Sequence, residues 1–289
     1  MYTDLFGKTR YKVNLHVHTT ESDGSLSPDD VMELYRRNGY DALAITDHWK
    51  LYRHTPPEGL TLISGVEYNT GTHDCNSGVY HILGLGMKQD PQLEYGVSAE
   101  EIVRSIHESG GVAVLAHPAW SLNTPEQLMA LDGIDATEIY NTVSGVHQSR
   151  RPDSSLILDM VASKGKIYPL LATDDAHYYD GTDECRSFIM AEAEENSESA
   201  ILDAVKKGKF YASQGPEVHL IREGNHLTVR CSPVRDIAIH SNLAIGKHTA
   251  EGVDLTEAHF CLDPEEVFVR AEVTDKNGGR AWTNMIPIR

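Results

Sequence analysis

Two textures divide the chain. From Tyr11 to about Lys209, short apolar runs alternate with amphipathic stretches. The runs Tyr11–His18, Ala42–Thr46, Leu62–Tyr68, Tyr80–Leu85, Val112–Ala116, Ala136–Tyr140, Ile167–Thr173 and Ser187–Ala191 predict strands. The stretches from Ser27 to about Arg37, Ala99–Ser109, Thr124–Leu131, Pro152–Lys164 and Ser197–Lys207 predict helices. Ser27 suits a helix N-cap and Pro28 the first helical position, while Gly110-Gly111 closes the second helix. This alternation predicts parallel strands with helices outside them, and roughly seven such units would close a barrel, although an open sheet leaves a similar signature. After Gly215-Pro216 the texture changes. His219–Ile221, Leu227–Cys231, Asp236–His240, Val267–Val273 and Trp282–Ile288 are short β-like runs separated by Gly, Asn, Pro and Asp. They predict a small antiparallel sandwich. The boundary falls near Gln214–Glu217, giving an α/β domain over 1–214 and a small antiparallel β domain over 215–289.

The length of 289 residues suits one large domain with a smaller companion. With 25 basic and 43 acidic residues the net charge is −18. That argues against a stable nucleic-acid complex and against adhesion to anionic lipid. It leaves a nucleotide substrate open, because bound cations can invert the local field. No apolar run reaches the ~18 residues of a membrane span, and the first residues lack the apolar core of a signal peptide. A cytoplasmic location is the expectation. Cys75, Cys185, Cys231 and Cys261 lie far apart with no CxxC, so a zinc ribbon is excluded and free thiols are expected.

Histidine carries the candidate chemistry. Leu15-His16-Val17-His18-Thr19 places two imidazoles two residues apart, on one face of a strand, where both can grip one cation. Glu21-Ser22-Asp23-Gly24 follows in a polar turn. Thr46-Asp47-His48 closes one apolar run and Gly65-Val66-Glu67-Tyr68 another. A glutamate there is costly to bury unpaired, and a metal would relieve that cost. His81 opens a further apolar run, Ala116-His117-Pro118 ends one, and Asp174-Asp175-Ala176-His177 follows the last of the set. Asp175 and His177 share a face; Asp174 would point the other way. Most of these positions fall just after a strand, where α/β folds place function. Six histidines and three carboxylates on one rim point to several metals.

The order LHVHT, SDG, TDH, GVE, HILG, AHP and DAH resembles the PHP (polymerase and histidinol phosphatase) superfamily of metal-dependent phosphoesterases. The resemblance covers about residues 12–215, and the β-rich tail is similar to a C-terminal extension of some PHP hydrolases. It implies a distorted (β/α)7 barrel with a small C-terminal β-sandwich, holding two or three divalent transition metals, Mn, Fe or Zn. It also implies the ligand sets. His16, His18, Glu67 and Asp175 would hold one metal. Glu67 would bridge to a second, completed by His81 and His117. Asp23, His48 and His177 would hold a third. Imidazole and carboxylate together suit these metals and not calcium. Catalysis is expected to centre on Glu67, Asp175 and His177.

The implied activity is hydrolysis of a small phosphate ester or nucleotide by a metal-activated hydroxide. His147, Arg150 and Arg151 are the candidate substrate-binding residues, since an arginine fork matches phosphate geometry. Tyr140, Asn141, Trp120 and Tyr178-Tyr179 could line the rim, or simply pack. A carbamate, ester or amide hydrolase on the same metals is the alternative, and a non-catalytic metal-binding module the third reading. The sequence leaves the oligomeric state open.

Overall fold

The computed structural model describes residues 1–72, 78–246 and 248–289. Cys75 lies outside the described residues; Cys185, Cys231 and Cys261 are free thiols. Among the described residues no helix is long and apolar enough to cross a membrane.

Helices form where local signals place them. Ser27 accepts a hydrogen bond from the Asp30 amide at the head of Pro28–Arg37, with Asp29 and Asp30 in the first turn and Arg36 and Arg37 in the last. That charge order complements the helix dipole. Ala99–Glu108 and Glu198–Lys206 are capped the same way by Ser98 and Ser197, and Thr124 with Gln127 forms a capping box for Pro125–Ala130.

The strands build two sheets. In one, Thr9–Asn14, Ala42–Ala44 and Thr61–Ile63 run parallel. In the other, Val112–Leu115, Ala136–Asn141 and Leu170–Thr173 run parallel. The expectation of parallel strands fails at Val79–Leu85, which also runs antiparallel to Val112–Leu115, and at Phe188–Glu192. Gly65–Gly71 and Val79–Leu85 pair antiparallel, because the link between them is shorter than the dozen or so residues a parallel crossover needs. Phe188–Glu192 is antiparallel to both Thr9–Asn14 and Phe210–Ser213.

The run Leu62–Tyr68 is also two strands, not one. The chain changes sheet at Ser64, whose amide and hydroxyl both donate to Glu198 Oε1 at 2.7 and 2.9 Å. Gly65 follows because any Cβ there would lie 2.5 Å from the Ile45 carbonyl oxygen.

Both sheets share one core, which runs from Val13, Ala44 and Ile63 to Ile82, Val114, Ile139 and Leu171. The ladders do not close into one ring. At the carboxyl ends, however, single backbone bonds cross the gaps. Asp175 N donates to His16 O at 2.8 Å, Thr46 N to Val17 O at 2.9 Å, and Glu67 N to Asp47 O at 3.2 Å. Segments carrying the histidine motifs therefore lie side by side.

The C-terminal strands are antiparallel, and they join the first sheet. Arg280–Thr283 pairs with Phe210–Ser213, so the tail extends the first sheet. His226–Ser241 is one long bulged strand where the sequence pattern predicts two runs, and it pairs in turn with Val218–Glu223, Thr249–Cys261 and Phe268–Thr274. Leu227, Val229, Ile237, Val269 and Val273 form a second core beneath it.

A histidine and carboxylate centre at the strand ends

The strand predicted over Tyr11–His18 ends at Asn14, and His16 and His18 stand on the segment just beyond it. Both imidazoles are wholly buried, as is Glu67. His16 Nε2 lies 3.3 Å from Glu67 Oε2 and 3.0 Å from Asp175 Oδ1. His18 Nε2 lies 3.0 and 3.1 Å from the same two oxygens. Glu67 also meets His48 Nδ1 at 3.3 Å, His81 Nδ1 at 2.8 Å and His117 Nε2 at 3.4 Å. At the mouth, Asp23 approaches His18 Nδ1 at 3.4 Å, His177 Nε2 at 3.5 Å and His48 Nε2 at 3.7 Å. All nine motif residues thus gather in one place, with Glu67 at the centre.

Within this centre three groups of donors have the spacing of a cation site: His16, His18, Glu67 and Asp175; His18, Asp23, His48 and His177; and His48, Glu67 and His81. His117 stands against the first and third through Glu67.

The donor set fits divalent cations on its own chemistry. Glu67 Oε2, Asp175 Oδ1, His48 Nδ1 and His81 Nε2 are buried and accept or donate no hydrogen bond. Four orphaned polar atoms in one cluster would carry a heavy desolvation cost without a common partner. The Nε2 atoms of His16 and His18 face each other at 3.2 Å. His16 donates from Nδ1 to Glu138 at 2.7 Å, which leaves its Nε2 lone pair aimed into the cluster. A carboxylate behind a histidine is the usual support of a metal ligand.

Without a cation the charges lean on one another. Burial alone would lower the pKa of His16, but Asp175, Glu67 and Glu138 raise it well above the ordinary value. His18 behaves likewise against Asp175, Asp23 and Glu67. Burial would raise Glu67 and Asp175, yet the surrounding imidazoles hold both carboxyls well below their usual range. His81 is different: burial outweighs Glu67 and its pKa falls.

Neighbouring residues lock the donors in place. Gly24 lets the turn fold onto the His18 carbonyl, which would lie 2.4 Å from a Cβ. Asp47 accepts from Thr19 N and Ser22 Oγ at 2.8 and 2.6 Å and so fastens the turn that carries Asp23. Asp183 accepts from the amides of His177, Tyr178 and Tyr179 at 2.7, 2.8 and 2.9 Å. His117 and Asp175 have φ of 30° and 52°, a left-handed conformation that side chains rarely adopt. Such strain collects where surrounding structure imposes it, commonly at functional sites.

Asp174 points away from the cluster, as alternation requires. It accepts from Asn14 Nδ2 at 2.6 Å, Tyr35 Oη at 2.7 Å and Ser187 N at 2.7 Å. Burial pushes its pKa up to about 7 against those bonds.

Glu138 is the residue that motif reasoning missed. It is wholly buried and accepts from His16, the His117 amide at 2.8 Å, Thr173 Oγ1 at 2.6 Å and Asn141 Nδ2 at 2.9 Å. The signal was present: a glutamate inside the apolar run Ala136–Tyr140. Asn141, a candidate for the rim, instead donates to Asp175 Oδ2 at 3.1 Å and is buried.

The substrate candidates stand apart from the three donor groups. His147 bonds Thr182 Oγ1 at 2.7 Å and stacks near Tyr178. Arg150 is exposed and donates to the Gly145 carbonyl at 3.1 Å; Arg151 is exposed beside it. Trp120 packs its ring edge-on to His117 and His81 at 4.8 and 5.3 Å.

An α/β core with imidazoles and carboxylates converging on its strand ends defines a metal-binding class of protein. Residues 14–150 match the PHP domain family model. It is 27% identical over 143 residues to an uncharacterized protein of Methanocaldococcus jannaschii, covering 45% of this chain and 81% of that one. It is 32% identical over 100 residues to a 5'-3' exoribonuclease of Haemophilus influenzae, covering 32% of this chain and about a third, 35%, of that enzyme. The crystal structure of a two-domain protein containing a predicted PHP-like metal-dependent phosphoesterase from Bacteroides vulgatus superposes with a TM-score of 0.59 at 16% identity, covering 99% of this chain and 98% of that one. That likeness establishes the fold and extends through the tail.

Proposed function

We propose that the chain is a metal-dependent hydrolase, and within that class a phosphoesterase acting on a small phosphate ester or nucleotide. The observation that carries the reading is Glu67, wholly buried and within reach of five imidazoles while its Oε2 accepts no hydrogen bond. In this reading His16, His18, Glu67 and Asp175 hold one cation, and Glu67, His81 and His117 a second. Asp23, His48 and His177 hold a third nearer solvent. Mn, Fe or Zn suits such a donor set. We read the strands as a distorted seven-unit barrel over about 1–214, with the β-rich 215–289 packed onto it through the shared first sheet.

Bound cations supply charge for the phosphoryl oxygens and bring the pKa of water towards about 7. The protein supplies the rest. Glu138 and the Asp175 carbonyl hold His16 and His177 in the tautomers that turn Nε2 inward. Burial of Glu67 and Asp175 excludes bulk water from the inner positions. Asp23 and His177, at the mouth, are placed where a substrate would enter. His147, beside Tyr178, with Arg150 and Arg151 would meet the outer part of a phosphorylated substrate.

A carbamate, ester or amide substrate is the second reading. What favours it is that, among the described residues, Glu67, Asp175 and Asp23 pair with histidines and with no Lys or Arg. Phosphate release from a panel of mono- and diesters, nucleotides and a dinucleotide, by Mn²⁺-loaded protein with a chelated control, decides between them. The dinucleotide is included because the Haemophilus relative is an exoribonuclease. Chelator-sensitive release is expected, and Glu67→Ala should lose metal content and turnover together. Silence across the panel with metal bound would move the assignment to carbamates and amides.

A further inference from the structure

We propose that the opposite end of the α/β core holds a second binding site, for a small organic polyanion with an apolar or aromatic body. A groove of about 610 Å³ lies there, between the amino ends of the core strands and the C-terminal strands. That volume falls in the usual range for small-molecule sites. Arg10 and Tyr168 line it, and each begins or precedes a strand whose far end leads into the histidine cluster. Arg10 to His16 spans roughly 20 Å at strand rise. The groove is therefore distinct from the metal centre.

Its charge runs against the rest of the molecule. The chain carries 43 acidic and 25 basic residues. The groove is lined by Lys8, Arg10, Lys206, Lys207 and Lys209, and Glu192 is the acid among its lining residues. Arg10 is engaged by Asp4 at 2.7 Å and Glu192 at 3.3 Å, and Lys207 by Asp203 at 2.7 Å. Lys8 reaches Glu192 only at 3.8 Å. Among the described residues neither Lys206 nor Lys209 forms an ion pair or a side-chain hydrogen bond. The C-terminus of Glu198–Lys206 accounts for Lys206 through the helix dipole. It does not account for Lys8 and Arg10, which come from another segment, at the start of Thr9–Asn14.

Cations from two segments of the chain, with two of them unpaired, make a field suited to several ionised groups on one ligand. Tyr168 and Phe210 are buried beneath them and Met285 lies alongside, so the floor is apolar. Inorganic anions would use the lysines alone, while an organic anion would use both features.

The test is calorimetric titration of the full chain in the presence of a chelator, so that no cation mediates binding. ADP, benzene-1,3,5-tricarboxylate and inorganic tripolyphosphate are the probes. Saturable binding of ADP, of the tricarboxylate or of both is expected, with tripolyphosphate weaker; which of the two binds separates phosphate from carboxylate recognition. The Lys206→Glu/Lys209→Glu variant, both positions being exposed, should lose at least tenfold in affinity with an unchanged thermal melt. Glu67→Ala should bind as the parent does. Absence of binding by both organic anions at millimolar concentration, or undiminished binding by the double variant, overturns the proposal. Tripolyphosphate binding as tightly as ADP overturns the role of the apolar floor.

Discussion

At the residue scale, the centre depends on side chains that face away from it. Glu138 takes four donors at once, and one of them fixes the His16 ring. Glu138→Gln keeps the volume but cannot accept the Nδ1 proton as a charged partner does. Metal affinity should fall by about 10–100-fold, the usual effect of removing such a support. Competition with a chromophoric chelator measures it. Since Gln still fits the space, the circular dichroism spectrum should be unchanged. An unaltered affinity would reduce Glu138 to a core hydrogen-bonding residue. Asp174, one position from Asp175, faces the other way and clamps Asn14, Tyr35 and Ser187 behind the site.

At the element scale, charge fastens the tail to the helix Ser155–Ser163 and to the loop before it. Arg270, 1% exposed at its side chain, bonds Asp159 at 2.7 Å and Glu272 at 3.1 Å. Arg280 bonds Asp153 at 2.6 Å and lies over the rings of Tyr140 and Trp282 at 5.1 and 5.0 Å. Burial would raise the Asp153 pKa, but Ser155 and Arg280 bring it below its usual 3.8. A carboxyl depressed in the folded state binds its proton first in the unfolded chain. Its stabilisation is therefore present above the ordinary value and lost as pH falls through the folded one. Asp153→Asn should cost about 1 kcal/mol at neutral pH, allowing for partial exposure. The gap to the parent should persist at about pH 4 and close below it, as read from urea melts. A gap independent of pH would mean that shape, not charge, holds this contact. The strand-to-helix order was legible because caps such as Ser27 and Ser98 and the apolar runs are local signals. The antiparallel hairpin after Gly65 and the 13-residue strand Thr249–Cys261, mostly exposed, were not. Direction is set by the length of a connection, and an exposed strand lacks the apolar alternation that would betray it.

At the scale of the whole molecule, most of the motif residues meet because they sit just past apolar runs whose ends lie on one rim, while Glu67 and His81 enter from the antiparallel pair Gly65–Gly71 and Val79–Leu85. Glu138 escaped because its partners His16, His117 and Thr173 are distant in sequence and its own run reads only as core. The texture change near Gly215 is real, but pairing crosses it. Phe210–Ser213 bonds Arg280–Thr283, Tyr140 stacks on Trp282, and Arg10 beneath the tail is tied to Asp4, whose neighbour Leu5 donates its amide to Glu217. Cutting after Gln214 would bare a strand edge and the apolar face that Trp282 covers, and unpaired edges invite association. The truncated chain should therefore aggregate or melt well below the parent, as seen by size-exclusion chromatography and thermal denaturation. A monomeric truncate with cooperative melting and full metal content would show that the β unit is appended, and that the α/β core stands without it.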